Sequence, residues 1–199
     1  MKKWKCIIGI LFVLVFAYFY ANISKMNVIY DKNVDNSDYL TTGLIGESKV
    51  EQSFRCTEDT LDGIYVKCQI LGDVTNVKIK YKLIDETEGN TVAKGDYEAK
   101  DVQSNKFNKF VFNTVEGCRN KDYTLIIWSE SSNETNGIAF YFQPNTQEGT
   151  KFVINNNETQ GTLIFKTITN RFDLETFCVF LVLVAFIYVF MKFLYKLFK

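Results

Sequence analysis

Asn76-Val-Lys-Ile-Lys-Tyr-Lys-Leu-Ile84 sets Val77, Ile79, Tyr81 and Leu83 on one side of an extended chain and Lys78, Lys80 and Lys82 on the other. Successive side chains of a strand point to opposite faces, so this alternation predicts a strand with one buried and one wet face. Ile64, Val66, Cys68 and Ile70 alternate in the same way with Tyr65, Lys67 and Gln69, and Ile138, Phe140 and Phe142 repeat the pattern. Tyr123-Thr-Leu-Ile-Ile-Trp128 is apolar on both sides, which predicts a central strand. Further strands are expected near 50–56, 91–99, 107–114, 122–130, 151–155 and 161–168. Turn-rich pieces separate them, among them Glu86-Thr-Glu-Gly-Asn90, Ser131 to Gly137 and Asn155-Asn-Asn157. No useful helical period occurs between residues 45 and 170. Eight or nine short strands between regular turns indicate an all-β sandwich or barrel.

The two ends read differently. Cys6 to Ala21 and Thr176 to Met191 are runs of sixteen residues without a charged side chain. A bilayer core roughly 30 Å thick needs about 17–25 apolar helical residues, so each run needs its flanks. Trp4, Tyr18 and Tyr20 supply interfacial rings to the first. Lys192, Lys196 and Lys199 share one helical face behind the second, where their long stems can carry the ammonium groups out to the headgroups. Lys2, Lys3 and Lys5 precede the first run. The excess of lysine at both ends predicts a plasma-membrane protein with both termini cytoplasmic. The expected organisation is an N-terminal transmembrane anchor over 1–22, a stalk or lead-in over 23–48, an extracytoplasmic β-sandwich over 49–170 and a C-terminal transmembrane helix over 174–199. The alternative for the first run is a cleaved signal peptide. It fits less well, because removal after Ala21 would leave Phe19 where a small residue is wanted. Neither run has an Asp, Glu, Arg or His at its middle, which argues against an ion or proton path. No spacing of small residues four apart stands out as a helix-pairing signal. Membrane lipid is therefore the first expected partner.

Charge and cysteine use narrow the function. Six of the 23 Lys+Arg are terminal lysines, and all but Glu175 of the 23 acidic residues lie within 22–174. The middle is left with 17 basic and 22 acidic groups, a net charge of −5. Such a balance argues against nucleic acid as a partner. Histidine is absent, so a Ser or Cys nucleophile has no imidazole to activate it. The carboxylate pairs Glu58/Asp59 and Asp85/Glu86 sit beside turns, where they read as ordinary solvated groups. No enzyme activity and no catalytic residue are expected. Of five cysteines, Cys56, Cys68 and Cys118 lie outside the apolar runs, and no zinc-type spacing occurs. Cys68 alternates with apolar neighbours as a core residue would. This leaves Cys56 and Cys118 as the candidate disulfide, against the alternative of three buried thiols.

Gln52-Ser-Phe54, Leu61-Asp-Gly-Ile64, Tyr81-Lys-Leu83-Ile-Asp85 and Lys121-Asp-Tyr123-Thr-Leu125-Ile-Ile127-Trp-Ser129 together resemble an extracytoplasmic jelly-roll module of Gram-positive cell-envelope membrane proteins. That group is similar in shape to galactose-binding-like, carbohydrate-binding jelly rolls. The resemblance spans about residues 50–168 and implies a jelly-roll-type β-sandwich with no catalytic motif. This chain differs from larger members in lacking a transferase domain and a multi-span bundle. Jelly rolls of this shape often hold calcium with loop carboxylates, which makes Asp59, Asp62 and Asp73 the metal candidates; no other cofactor is expected. Tyr65 and Tyr141 fall out of phase with their apolar neighbours. A flat ring suits the C–H face of a sugar, so these two are the candidate carbohydrate contacts, the alternative being packing against a loop or the second sheet. Two functions follow as expectations. One is a non-catalytic carbohydrate-binding module for a cell-envelope polysaccharide. The other is a structural accessory subunit of a polytopic membrane glycosyltransferase or polysaccharide exporter.

Overall fold

The computed structural model describes residues 2–43 and 49–199. Residues 44–48, the end of the expected lead-in, lie outside the described residues. In chain order the elements are α1 (Lys2–Tyr20), β1 (Asn22–Val28), β2 (Leu40–Thr41), β3 (Lys49–Arg55), β4 (Thr60–Leu71), β5 (Lys78–Asp85), β6 (Thr91–Glu98), β7 (Lys106–Glu116), β8 (Asp122–Glu130), β9 (Gly137–Gln143), β10 (Phe152–Ile154), β11 (Asn157–Glu158), β12 (Thr162–Leu163), β13 (Phe165–Phe172) and α2 (Leu174–Leu197). Short 3-10 turns occur at Asn36–Asp38 and Ala99–Asp101. The chain divides into two units, residues 26–169 and a second made of residues up to 25 together with 170–199.

Strand alternation builds the larger unit. Ile79, Tyr81 and Leu83 of β5 are buried while the lysines between them are not, as their spacing predicts. β8 lies between β3 and β5, the central position expected of it; Tyr123, Leu125 and Ile127 belong to the core, and Ile126 outside that cluster is buried as well. The strands form two antiparallel sheets. One runs β1-β13-β4-β9-β12, with β7 also paired to β4 and β2 to β9; the other runs β11-β10-β3-β8-β5-β6. Their inner faces meet through aromatic pairs: Tyr81 on Phe110 at 5.3 Å, Phe54 on Phe165 at 5.3 Å and Phe142 on Phe152 at 5.1 Å. A fully buried Phe contributes roughly 1.5–3 kcal/mol by leaving water, so these rings dominate the core. This is the sandwich arrangement expected from the pattern.

Two glycines are fixed by close approach. Gly95 faces Tyr81 across the ladder, and a Cβ there would stand 2.3–2.9 Å from the Tyr81 ring and hydroxyl. Gly63 lies at a register shift in β4, where a Cβ would meet the Phe110 carbonyl oxygen at 2.7 Å. Fully buried Gln52 of β3 ties the two sheets together. Its Nε2 donates to the Ser53 and Lys151 carbonyls at 3.0 and 3.1 Å, and its Oε1 accepts from Leu163 N–H at 2.8 Å.

The expected lead-in carries regular structure of its own. Asn22–Val28 is a strand beside β13, and Leu40–Thr41 pairs with Phe142 and Tyr141 of β9. The pairings are made with residues a hundred or more positions away, so no local period announces them.

In the other unit, α2 is long and apolar enough to cross a membrane by length and composition, at 24 residues or about 36 Å. Its first turn is capped by Asp173, whose carboxylate accepts from Thr176 N–H at 3.2 Å and its hydroxyl at 2.5 Å. The described apolar part of α1, Ile7–Tyr20, is shorter, about 21 Å. Ala17 and Ala21, four residues apart, are fully buried, and Phe16 and Tyr20 beside them pack on Phe180 of α2 at 5.6 and 5.2 Å. The contact between the helices is therefore carried by aromatic rings, beside two small buried residues.

Candidate binding face

β4 places Ile64, Val66 and Cys68 in the core and turns Tyr65 and Lys67 outward. Its partners bring more of the same kind. Tyr65 stands opposite Lys109 of β7 on one side and Lys166 of β13 on the other, while Lys67 stands opposite Phe107. Strands are about 4.8 Å apart, so Lys166, Tyr65 and Lys109 form one row across three strands, with Lys67 and Phe107 one step along. Tyr141 of β9 also points outward, between the inward rings of Phe140 and Phe142.

The segment before β2 completes the face. Asp31 and Asp35 close side-chain turns, the first accepting from Asn33 N–H at 2.9 Å and the second from Ser37 N–H at 2.8 Å. These turns return the chain so that Tyr30 and Tyr39 meet edge to face at 6.2 Å. Tyr30 also stacks on Phe107 at 6.1 Å. The Lys67 ammonium lies 5.0 Å from the centre of the Tyr39 ring and 4.9 Å from that of Tyr141, and Lys166 lies 4.1 Å above Phe107. Each ring offers its negative face to the cation, which holds the two flexible stems in fixed directions. The Tyr141 hydroxyl donates to Asn105 Oδ1 at 2.6 Å. Asn105 takes a left-handed backbone (φ 63°) at the turn into β7 and donates its own N–H to the Cys68 carbonyl. Burial, then the charges of Asp35 and Asp31, raise the Tyr39 phenol above its ordinary range, and burial followed by Tyr39 does so for Tyr30. Both rings stay neutral at pH 7.

The two tyrosines chosen from sequence thus belong to one outer sheet face, but their surroundings differ. Tyr141 shares its ring with a lysine, whereas Tyr65 makes no ring contact among the described residues. Lys67, Lys109 and Lys166 were not singled out from sequence, although their alternation with Tyr65 and Phe107 was visible. Tyr30 and Tyr39 lay in a segment without period.

The metal candidates are not brought together. Asp59 is held by Arg119, with Nη2 donating to Oδ2 and Nε to Oδ1, both at 2.8 Å. Asp62 accepts from the Thr114 hydroxyl at 2.6 Å. Asp73, beyond the far end of β4, accepts from Thr75 N–H at 3.0 Å and its hydroxyl at 2.6 Å, and the Thr75 hydroxyl first and N–H second lower its carboxyl. At about 3.3 Å per residue, β4 separates Asp62 from Leu71 by roughly 30 Å, and Asp73 follows the turn beyond that end. Among the described residues no three His, Cys, Asp or Glu side chains converge in a way that could hold a metal ion.

The cysteine candidates are brought together. Cys56 and Cys118 are both buried and close enough to influence each other's titration; the Cys56 thiol donates to the Glu58 carbonyl at 3.3 Å and the Cys118 thiol to the Val115 carbonyl at 3.1 Å. Burial is the main reason that the Cys56 thiol is pushed up to about 11, and it raises Cys118 as well. Cys68 is a fully buried core thiol, as its alternation predicts. On the other sheet an open cleft of about 590 Å³ is lined by Glu51, Ser53, Glu86, Asp122, Thr124 and Lys151 among others, a mainly acidic set.

No protein-family model matches the chain, and no curated protein matches it. Among solved structures, the clostridial cysteine protease Cwp84 after propeptide cleavage aligns with 74% of this chain and 40% of its own, at 11% identity and a TM-score of 0.45. A structure of the cysteine protease and lectin-like domains of Cwp84, a surface-layer-associated protein of Clostridium difficile, aligns with 68% of this chain and 37% of its own, at 10% identity and a TM-score of 0.34. The VP2 subviral particle of infectious bursal disease virus aligns with 75% and 38%, at 10% identity and a TM-score of 0.23. The chain spans about two fifths of the length of these proteins.

Proposed function

We propose that the chain is a membrane-anchored, extracytoplasmic, non-catalytic binding module of jelly-roll type that holds a cell-envelope polysaccharide on the outer face of the β13-β4-β7 sheet. In this reading α1 and α2 both anchor it in the plasma membrane, with both termini cytoplasmic. One observation carries the proposal. Tyr30, Tyr39, Phe107 and Tyr141 converge on one sheet face, joined by ring contacts and by Lys67 and Lys166, and Tyr65 lies in the adjoining row between Lys109 and Lys166. Apolar rings beside polar groups suit a ligand that is itself both flat and hydroxylated. The test is retention of purified Gram-positive cell-wall polysaccharide by the full chain in detergent. Saturable binding that falls at least several-fold in Tyr65→Ala and Tyr141→Ala supports the reading; equal binding by wild type and both variants removes it.

A second reading is an accessory subunit docked on a polytopic glycosyltransferase or exporter. It is favoured by the apolar surface of α2, of which none of the membrane-length window is buried. Cross-linking in the native membrane tests it: a protein recovered without a partner rules it out.

A further inference from the structure

We propose that the polysaccharide is acidic, its sugar rings lying against Tyr65 and the neighbouring aromatic groups while its carboxylate or phosphate groups meet Lys67, Lys109 and Lys166. This rests on the carbohydrate reading above and adds the charge of the ligand. The argument is one of uncompensated charge. On the other sheet, Lys78 is paired with Glu98 at 3.0 Å and Lys80 with Glu130 at 2.9 Å. Among the described residues Lys67, Lys109 and Lys166 form no ion pair; unpaired lysines such as Lys82 and Lys94 occur on the other sheet as well, so what sets these three apart is that they share one face with a cluster of aromatic rings. The cations sit in two adjacent rows of the same face, two of them fixed in direction by rings. Asp35 and Asp31 act by their charge on the Tyr39 ring, but among the described residues they form no ion pair with these lysines; their oxygens accept hydrogen bonds in their own turns, and Asp62 accepts from Thr114. An ammonium oriented by a ring but lacking a counter-ion is prepared for an anionic oxygen, and the rings supply surface for the sugar between the charges.

The test uses the full chain in detergent with the acidic fraction of Gram-positive cell-wall polysaccharide. Its comparisons are the same fraction after carboxyl reduction and removal of phosphate, the neutral fraction, and linear polyphosphate. The expected result is binding to the acidic fraction alone. It should weaken with salt and fall roughly three- to tenfold in each of Lys109→Gln and Lys67→Gln. Lys94→Gln, on the other sheet, should bind as wild type. Lys109 is exposed and, among the described residues, its side chain makes no hydrogen bond, ion pair or ring contact, so its variant tests charge without disturbing the core. Equal binding before and after neutralisation overturns the charge inference and leaves the carbohydrate reading standing. Polyphosphate held as tightly as the acidic fraction identifies a general polyanion surface and overturns it too. Binding to no polysaccharide overturns both.

Discussion

Gln52→Met is the sharpest test of how the two sheets are joined. The substitution keeps the length and most of the volume of the side chain but removes its amide. Three hydrogen bonds disappear, to the Ser53 carbonyl, the Lys151 carbonyl and Leu163 N–H. They are not equivalent. The Lys151 carbonyl keeps a second donor, Ser53 N–H at 2.9 Å. Leu163 N–H loses its partner in a place where Gln52 and Leu163 are both wholly excluded from solvent. An orphaned buried donor costs about 1–3 kcal/mol, and the lost bonds to the carbonyls add about 1 kcal/mol, giving about 2–4 kcal/mol in all. For a domain of this size that corresponds to a fall of roughly 5–10 °C in melting temperature. Near-ultraviolet circular dichroism of the full chain in detergent follows the aromatic packing of the sandwich and so reads this unit. Ser53→Ala is the control, because its exposed hydroxyl, which accepts from Lys151 N–H at 2.7 Å, can be replaced by water at a loss below about 1 kcal/mol. A Gln52→Met protein melting within about 1 °C of wild type would falsify the claim that this amide links the sheets.

Other outcomes follow from single contacts. Gly95→Ala sets a methyl against the Tyr81 ring and should lower stability by about 1–3 kcal/mol; in a Tyr81→Leu background the loss should shrink, and equal losses in both backgrounds would sink the explanation. Burial works to raise the Asp85 carboxyl, but Thr87 N–H, Glu88 N–H and Lys121 together hold it below its ordinary 3.8. Its folded value is therefore the lower one. The stability it contributes is complete above pH 3.8 and is lost as pH falls through the folded value. Melting temperature measured from pH 7 down to about 2 should drop less steeply in Asp85→Asn, and parallel curves would contradict this assignment. Cys56 and Cys118 should be recovered as a linked peptide from protein exposed to a disulfide oxidant, both thiols losing their protons and one electron each. Two alkylatable thiols at those positions would show that they stay reduced.

The fold was legible where one strand's own residues decide it. Ile79, Tyr81 and Leu83 announce an inner face by alternation alone, and the double-faced apolar run from Tyr123 to Trp128 announces a central strand. β1 and β2 were not legible, because two- to seven-residue ladders in a polar segment owe their existence to distant partners. The same limit governs the binding face. Tyr65 and Tyr141 could be assigned outward from their own strands, whereas Tyr30 and Tyr39 reach the face only through the turns of Asp31 and Asp35. Nor does alternation say which lysine lies over which ring; that depends on the β4–β7 and β4–β13 registers. The loop aspartates carried the opposite lesson. The resemblance to jelly rolls suggested them as ligands, but an arginine and nearby hydroxyl groups already meet their oxygens.

The most direct measurement is a lysine-reactivity footprint of the full chain, read by mass spectrometry after acylation with and without the acidic cell-wall polysaccharide. The account predicts that Lys67, Lys109 and Lys166 become protected while Lys94 and Lys151 react as before. Protection centred on Lys151 beside the acidic cleft, or no protection at any lysine from a polysaccharide that binds, would place the ligand elsewhere and contradict it.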